Sequence, residues 1–359
     1  MDRQRLVMSW AGNTCVAYST MGARAQAAHH SQRALSVWRN ERKVKAEAQH
    51  EDMFLQECTV LFKYEEQLRD PLASSHKIIR VQAGPETQGF PTSRPRSFTA
   101  GLSLATLVWV GPATDEQVQM EFSGLFDTTM ELTGDCFFQA SEAQVLSNQE
   151  ERLQKQKKSF MLKKAKDQWE LLLAMLPPGA GARLNAYEDI RPMYEGFGGS
   201  FLCDAEQWPG KNSGHGEPLF PCQLTHGDVV SFTMQRVALG LEHMLAQGVH
   251  VIDVGTGFES ALTPLFQQMP ESQLKLLSGN GWCLPCMAAF ALYVWSNTVR
   301  REVPNVHRER PAALDVQAEA QAETGDSLLE DWPLDESQHL LATQSDSCSV
   351  DGEGDESIR

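Results

Sequence analysis

No apolar run in this sequence is long enough to cross a bilayer. The longest, near residues 287–295, falls well short of the roughly 20 residues a membrane helix needs. A charged start at residues 1–5 is followed by no apolar h-region and no small-residue cleavage site, so the chain is read without a secretory signal. Without that signal, its eight Cys are not expected to form a disulfide framework. Cys283 and Cys286 have CxxC spacing, but no second pair and no histidines stand at ligand distance. That speaks against zinc and leaves two buried helix-face thiols. No internal repeat is found. Bases are also short: 31 Lys+Arg stand against 47 Asp+Glu, for a net charge of −16. As a total, that argues against a nucleic-acid partner, because phosphate contacts need Lys and Arg.

The total hides an uneven spread. Residues 311–359 hold 13 acids and one base, Arg359, a net −12. Residues 1–310 then carry 30 bases and 34 acids, a near-neutral −4. The acidic stretch, poor in aromatics, reads as a disordered tail. The rest has 42% hydrophobic content overall to draw on, enough to bury a core in one large domain or two.

Along the body, residues 5–10 read as a short buried strand running into a turn at residues 11–15. A charged helix is expected over about residues 26–53, with Trp38 as its largest apolar residue. Residues 77–81 read as a strand, and residues 97–110 as one or two more. Residues 152–166 contain seven bases and no acid, and read as a basic helix continuing into residues 169–176 before Pro177-Pro178-Gly179. By itself such a run is a solvated face. Residues 185–225 are loop-rich. Helices are expected over residues 235–247 and 274–301. Strand and helix alternating through the first 110 residues point to a parallel α/β sheet.

Val251-Ile252-Asp253-Val254-Gly255-Thr256-Gly257 resembles the glycine-rich loop of class I S-adenosylmethionine methyltransferases, an acidic strand end followed by G-x-G. Too few residues follow for the further strands such a fold needs, and Glu271 falls in a turn or helix start rather than at a strand end. The motif is therefore not read as a nucleotide site.

Five segments occur in an ordered series. Ala11-Gly12-Asn13-Thr14-Cys15-Val16-Ala17-Tyr18-Ser19 follows a strand. Phe54-Leu55-Gln56-Glu57-Cys58-Thr59 comes next, then Gly89-Phe90-Pro91-Thr92-Ser93-Arg94-Pro95-Arg96-Ser97-Phe98. Residues 236–248 carry Arg236, Glu242 and Gln247-Gly248, and Leu277-Ser278-Gly279-Asn280-Gly281-Trp282 closes the series. Together they resemble the cytosine-5 DNA methyltransferase family over roughly residues 5–300. The first resembles the nucleophile loop G-x-P-C-x-x-x-S, with Thr14 in place of Pro. The second resembles E-N-V, with Cys58-Thr59 in place of Asn-Val. The third resembles Q-x-R-x-R, with Thr92 in place of Gln. The fourth resembles an Arg…Glu…Gln-Gly stretch and the fifth a closing G-N segment. Pro221-Cys222-Gln223 carries the family's nucleophile tripeptide, but in the family the nucleophile precedes the Glu and the Arg pair. Cys15 fits that order, and Cys222 is assigned to the target-recognition region.

The resemblance implies methyl transfer from S-adenosylmethionine to C5 of a cytosine flipped out of DNA. C5 is a weak nucleophile until a thiolate adds at C6, and Cys15 is the implied thiolate. Glu57 would hold or protonate cytosine N3 from a dry pocket, which needs a raised carboxylate pKa. Arg94 or Arg96 would bind the base carbonyl. Ser19, Gly279 and Asn280 would contact the methyl donor. Lys157, Lys158, Lys163, Lys164 and Arg236 would contact DNA phosphates, and no metal is implied. The implied fold is α/β, a partial Rossmann-like sheet of the S-adenosylmethionine-dependent kind. Residues 1–115 would form the catalytic core, 116–230 a target-recognition insertion with the basic helix, 231–305 the closing helices and 306–359 the acidic tail. The family's phenylalanine- and glycine-rich donor loop, F-x-G-x-G, and the acidic strands after it have no counterpart in the sequence. Three explanations stand open: an incomplete gene product, a second chain that supplies the donor site, or a non-catalytic DNA-binding or regulatory relative. An RNA cytosine-5 methyltransferase fits the same pattern. An intracellular location, nuclear in a eukaryote, follows from a DNA substrate.

Overall fold

Met53–Thr59 opens on three consecutive apolar residues, Met53-Phe54-Leu55, rather than on an alternation, which is how a strand covered on both faces reads. In the computed structural model it is β2, a central strand, buried along almost its whole length. The structure describes residues 5–12, 32–194, 199–210, 218–251 and 261–301. The nucleophile-loop residues Cys15 and Ser19, the glycine motif after Val251 and the acidic tail lie outside the described residues.

β1 (Met8–Gly12) pairs parallel to β2, with Gly12 opposite Glu57. A helix, α1 (Gln32–Glu47), connects them. β3 (His76–Ala83) and β4 (Arg96–Ser103) follow, and the spatial order is β1-β2-β4-β3. β4 runs antiparallel to both neighbours, so the sheet is mixed and not parallel as alternation suggested. The connection from β3 to β4 contains no crossover helix, and without one the second strand returns antiparallel. β5 (Leu107–Trp109) leaves this sheet and pairs with the last strand of the described chain.

α2 (Asp115–Phe126) opens on a full capping box from Thr114 and Gln117. α3 (Glu142–Lys155) opens on another, from Ser141 and Gln144. The expected basic helix over residues 152–166 does not form. α3 ends at Lys155, Lys157 adopts a left-handed φ of 57°, and only the short turn Met161–Lys164 follows. Lys157 N–H donates to Gln154 O at 3.0 Å and Lys158 N–H to Leu153 O at 2.8 Å, so the chain leaves the helix through a left-handed C-terminal turn. α4 (Gln168–Met175) and α5 (Pro178–Ile190) are separate helices, and α5 occupies part of the stretch read as loop. They pack with a small antiparallel sheet, β6 (Leu202–Asp204), β7 (Val229–Ser231) and β8 (Arg236–Val237), into their own apolar cluster around Leu172, Leu184 and Phe201. The helix expected over residues 235–247 is therefore a strand followed by α6 (Gly240–Leu245).

α7 (Glu271–Asn280) and α8 (Leu284–Ser296) complete the chain with β9 (Thr298–Arg300). By length and composition alone, Glu271–Ser296 would suffice to cross a membrane. It is broken at residues 281–283, and α8 lies in the main core. There the Phe290 ring sits 5.8 Å from that of Phe98 on β4.

Candidate functional site

The segment before β4 does not stand alone. Thr92 forms a parallel bridge with Phe220, Ser93 N–H donates to Phe220 O at 2.8 Å, and Phe220 N–H donates to Pro91 O at 2.9 Å. This backbone pairing carries residues 220–223 alongside residues 91–94. The result is that Cys222, 126 positions after Arg96, lies against both arginines of the R-x-R segment.

Arg94 is 3% exposed and acts as a clasp. Its Nη1 donates to Gln223 O at 3.4 Å and faces Cys222 Sγ at 3.8 Å. Its Nη2 donates to Gly279 O at 3.2 Å and to Gly281 O at 2.6 Å. Three chain segments therefore meet on one guanidinium, which a planar five-donor fork can do and a lysine cannot. Burial disfavours the charge on Arg94, and Arg96 adds to that effect. Arg96 sits at the first residue of β4, less buried. Its Nε lies 2.8 Å from Glu57 Oε1, and its Nη2 faces Cys222 Sγ at 3.5 Å.

The Cys222 thiol is half-buried. Burial alone pushes it up; the Arg96 and Arg94 guanidiniums, with the hydrogen bond from Arg96, outweigh that and hold it below the usual thiol range. A thiol, two guanidiniums and a carboxylate thus share one place, at the C-terminal ends of β1 and β2. Gly12 ends β1 there, and a Cβ on it would meet Trp282 Nε1 at 2.7 Å. Trp282 also stacks with Trp10 at 5.8 Å.

The closing segment is fixed by close approach to the backbone. A Cβ on Gly279 would stand 2.5 Å from Thr225 N and 2.7 Å from Leu224 C, so only glycine lets α7 approach residues 224–225. Buried Gln247 ties the same parts together, its Nε2 donating to Gln223 Oε1 at 2.5 Å and to Ser278 O at 3.0 Å.

These positions test the methyl-donor reading. Gly279 is engaged in backbone packing and with Arg94, and the Asn280 side chain is exposed at the end of α7. Among the described residues, the two do not by themselves make a pocket for a nucleoside sulfonium.

The residues assigned to phosphate contacts divide. Lys157, Lys163 and Lys164 are exposed around the turn after α3. Lys158 is half-buried, its Nζ donating to Ala174 O at 3.4 Å. Arg236 is not available: Nη1 and Nη2 bind Glu242 Oε2 and Oε1 at 2.8 and 2.7 Å, and Glu242 is fully buried. Of the other bases in the run, Arg152 pairs bidentately with Asp228 and Lys155 pairs with Glu151. Sequence order had set Cys222 apart from Glu57, Arg94 and Arg96. The Pro-Cys-Gln tripeptide after the apolar Leu219-Phe220 was the one signal pointing to it. Among the described residues, no group of three or more His, Cys, Asp or Glu could hold a metal ion.

No protein-family model matches the chain, and no curated protein matches it. Solved structures do. One is the Dnmt2 methyltransferase of S. pombe, at 11% identity and a TM-score of 0.42, covering 80% of this chain and 77% of that one. A variant of Spodoptera frugiperda DNMT2 aligns at 10% identity and a TM-score of 0.39, over 80% and 79% of the two chains. An E. coli putative DNA modification methyltransferase encoded within a prophage aligns at 11% identity and a TM-score of 0.39, over 82% and 80%.

Proposed function

We propose that this chain is of the cytosine-5 methyltransferase type, acting on a cytosine flipped from DNA. S-adenosylmethionine is the methyl donor that the resemblance implies. The single observation that carries this is the cluster itself. Glu57, Arg94 and Arg96 stand out at motif positions in the sequence, and they converge where β1 delivers the chain toward Cys15. In this reading Cys15 adds to C6, Glu57 engages N3 and Arg96 engages the base carbonyl. Arg96 and Glu57 hold each other in the arrangement described, and a base entering between them would have to replace that ion pair with its own two contacts. Arg94 holds the surrounding segments in place. Residues 116–230 would form the recognition insertion, with Lys157, Lys158, Lys163 and Lys164 near its phosphate-facing side. The donor site would be completed outside the described residues or by a second chain. A nuclear location in a eukaryote belongs to the same proposal.

The test isolates the nucleophile from the donor. The full chain is incubated with duplex DNA carrying 2-pyrimidinone, to which a thiolate can add at C6 without methyl transfer, and a covalent adduct is sought on a denaturing gel. The reading expects an adduct that Cys15→Ser abolishes and Cys222→Ser retains. Loss with Cys222→Ser alone would transfer the role to Cys222. Duplex binding without an adduct would refute the enzyme reading in favour of a DNA-binding relative, and an adduct seen only with the same base in RNA would change the substrate.

A further inference from the structure

Among the described residues, two half-buried cysteines have opposite surroundings. Cys136 lies beside Asp135, and burial together with that carboxylate pushes it up to about 11. Cys222 lies between two guanidiniums, 3.8 Å from Arg94 Nη1 and 3.5 Å from Arg96 Nη2. Site-selective oxidation follows thiolate character and access together. Cys222 and Cys136 are both partly exposed residues, and the two guanidiniums at Cys222 set them apart. Cys203, Cys283 and Cys286 are buried and lack access.

We propose that Cys222 is an oxidation site for a small peroxide, held in its oxidised form by Arg94 and Arg96. The Cys222 thiolate donates its electron pair to the near oxygen of hydrogen peroxide. An S–O bond forms as the O–O bond breaks, sulfur is oxidised to the sulfenic acid, and the departing hydroxide takes up a proton to become water. The guanidinium fork opposes the charge on the departing hydroxide and afterwards donates to the new oxygen. A low-molecular-weight thiol reverses the change: it condenses with the sulfenic acid to a mixed disulfide, releasing water, and a second such thiol regenerates Cys222.

A consequence for the site rests on the function proposed above. An oxygen on Cys222 Sγ competes for the Arg96 guanidinium that now holds Glu57 at 2.8 Å, so oxidation would withdraw Arg96 from a bound base. The oxidation step itself needs neither DNA nor methyl donor.

The experiment treats the full chain, without DNA, with hydrogen peroxide in the presence of a 1,3-dione that traps sulfenic acids. Labelling at each cysteine is followed by peptide mass spectrometry. The expected result is labelling of Cys222 at least about tenfold faster than Cys136, the factor set by one unit of thiol acidity. Arg96→Gln should slow Cys222 by a similar factor. Glu57→Gln, which frees Arg96 from its carboxylate, should leave the Cys222 rate unchanged or raise it. Equal rates at Cys222 and Cys136, or an Arg96→Gln protein that circular dichroism shows to be folded and that labels as fast as the parent, would overturn the proposal. So would a tenfold fall with Glu57→Gln. None of these results bears on whether pyrimidinone DNA is trapped, so the two proposals fail separately.

Discussion

Arg94→Met separates a structural arginine from a reactive one. Methionine fills a comparable volume in the buried channel but donates no hydrogen bond. Three backbone carbonyls are then left without their partner: Gly281 at 2.6 Å, Gly279 at 3.2 Å and Gln223 at 3.4 Å. A hydrogen bond from a charged donor contributes about 1.5–3 kcal/mol. Counting the two shorter bonds gives about 3–6 kcal/mol, and relief of the buried guanidinium's desolvation offsets part of it. The net expected loss is about 3 kcal/mol, read as a fall in the urea midpoint at unchanged slope. Arg94→Lys, which keeps the charge but reaches fewer carbonyls, should lose about half as much. Arg96→Gln removes an ion pair that is itself largely buried and leaves the Glu57 carboxylate with only a neutral amide, so it should lose about 1–3 kcal/mol. A stability loss below about 1 kcal/mol in Arg94→Met would refute the assignment of Arg94 as the clasp.

Breaking the Arg236–Glu242 pair by Arg236→Ala strands a fully buried carboxylate and should cost about 3–5 kcal/mol. The double change Arg236→Met with Glu242→Leu should lose less than the sum of the two single changes by thermal unfolding, without full recovery because Ala140 N–H and Leu239 N–H lose their acceptor, and additive losses would refute the pairing. Buried His76, hydrogen-bonded to Ser75 Oγ at 2.9 Å, is pushed down to about 4 by burial. The unfolded chain takes up a proton near pH 6.5, so this group removes stability as pH falls through that value, by about 2 kcal/mol between pH 7.5 and 5. Asp204 goes the other way: burial, with the Asp228 and Glu206 carboxylates nearby, pushes it up to about 7. The fold keeps that proton where the unfolded chain releases it, and this stabilises by about 2.5 kcal/mol over the same acidification. Relative to the parent, His76→Gln should therefore resist acid better and Asp204→Asn worse; parallel unfolding midpoints across pH would contradict both shifts. Replacing Lys157, Lys163 and Lys164 with Gln should weaken duplex binding and lower its salt slope by about 0.9 for each phosphate no longer neutralised. An unchanged slope would place DNA elsewhere.

The strands were legible where β-branched or apolar residues are continuous. Ile78-Ile79 and Val81 lie within β3, and residues 97–103 within β4. Strand direction was not legible, because pairing of β3 with β4 is set by a connection whose sequence carries no orientation signal. Charge was the poorest guide. The bases of residues 152–166 suggested one helix, but Lys157 in the left-handed region ends it, and Arg152 turns inward to Asp228. Glu57, Arg94 and Arg96 could be picked out because motif order keeps them in sequence. Cys222 could not, because a single bridge between Thr92 and Phe220 brings it there, and an isolated bridge leaves no periodic trace in either segment.

The two arginines show why a motif read residue by residue misassigns roles. Arg94 and Arg96 are two positions apart, and in sequence either could bind a base. Arg94 precedes the strand, where residues 220–223 and 279–281 close over it. All its hydrogen bonds to carbonyl oxygens are therefore internal, and only its Nη1, turned to Cys222 Sγ at 3.8 Å, faces the other side of the cluster. Arg96 begins β4 opposite Thr59 and reaches back to Glu57 and Cys222. Besides the Pro95 carbonyl, its partners are a carboxylate and a thiol, groups that can exchange protons. The same separation accounts for the position of Cys222. Its sulfur is held in the fork because Gln223 O binds Arg94 and because Gly279 admits the 224–225 backbone at close range. Arg96, Glu57 and Cys222 thus form the side of the cluster that the proposed function uses, and the clasp behind it fixes their distances.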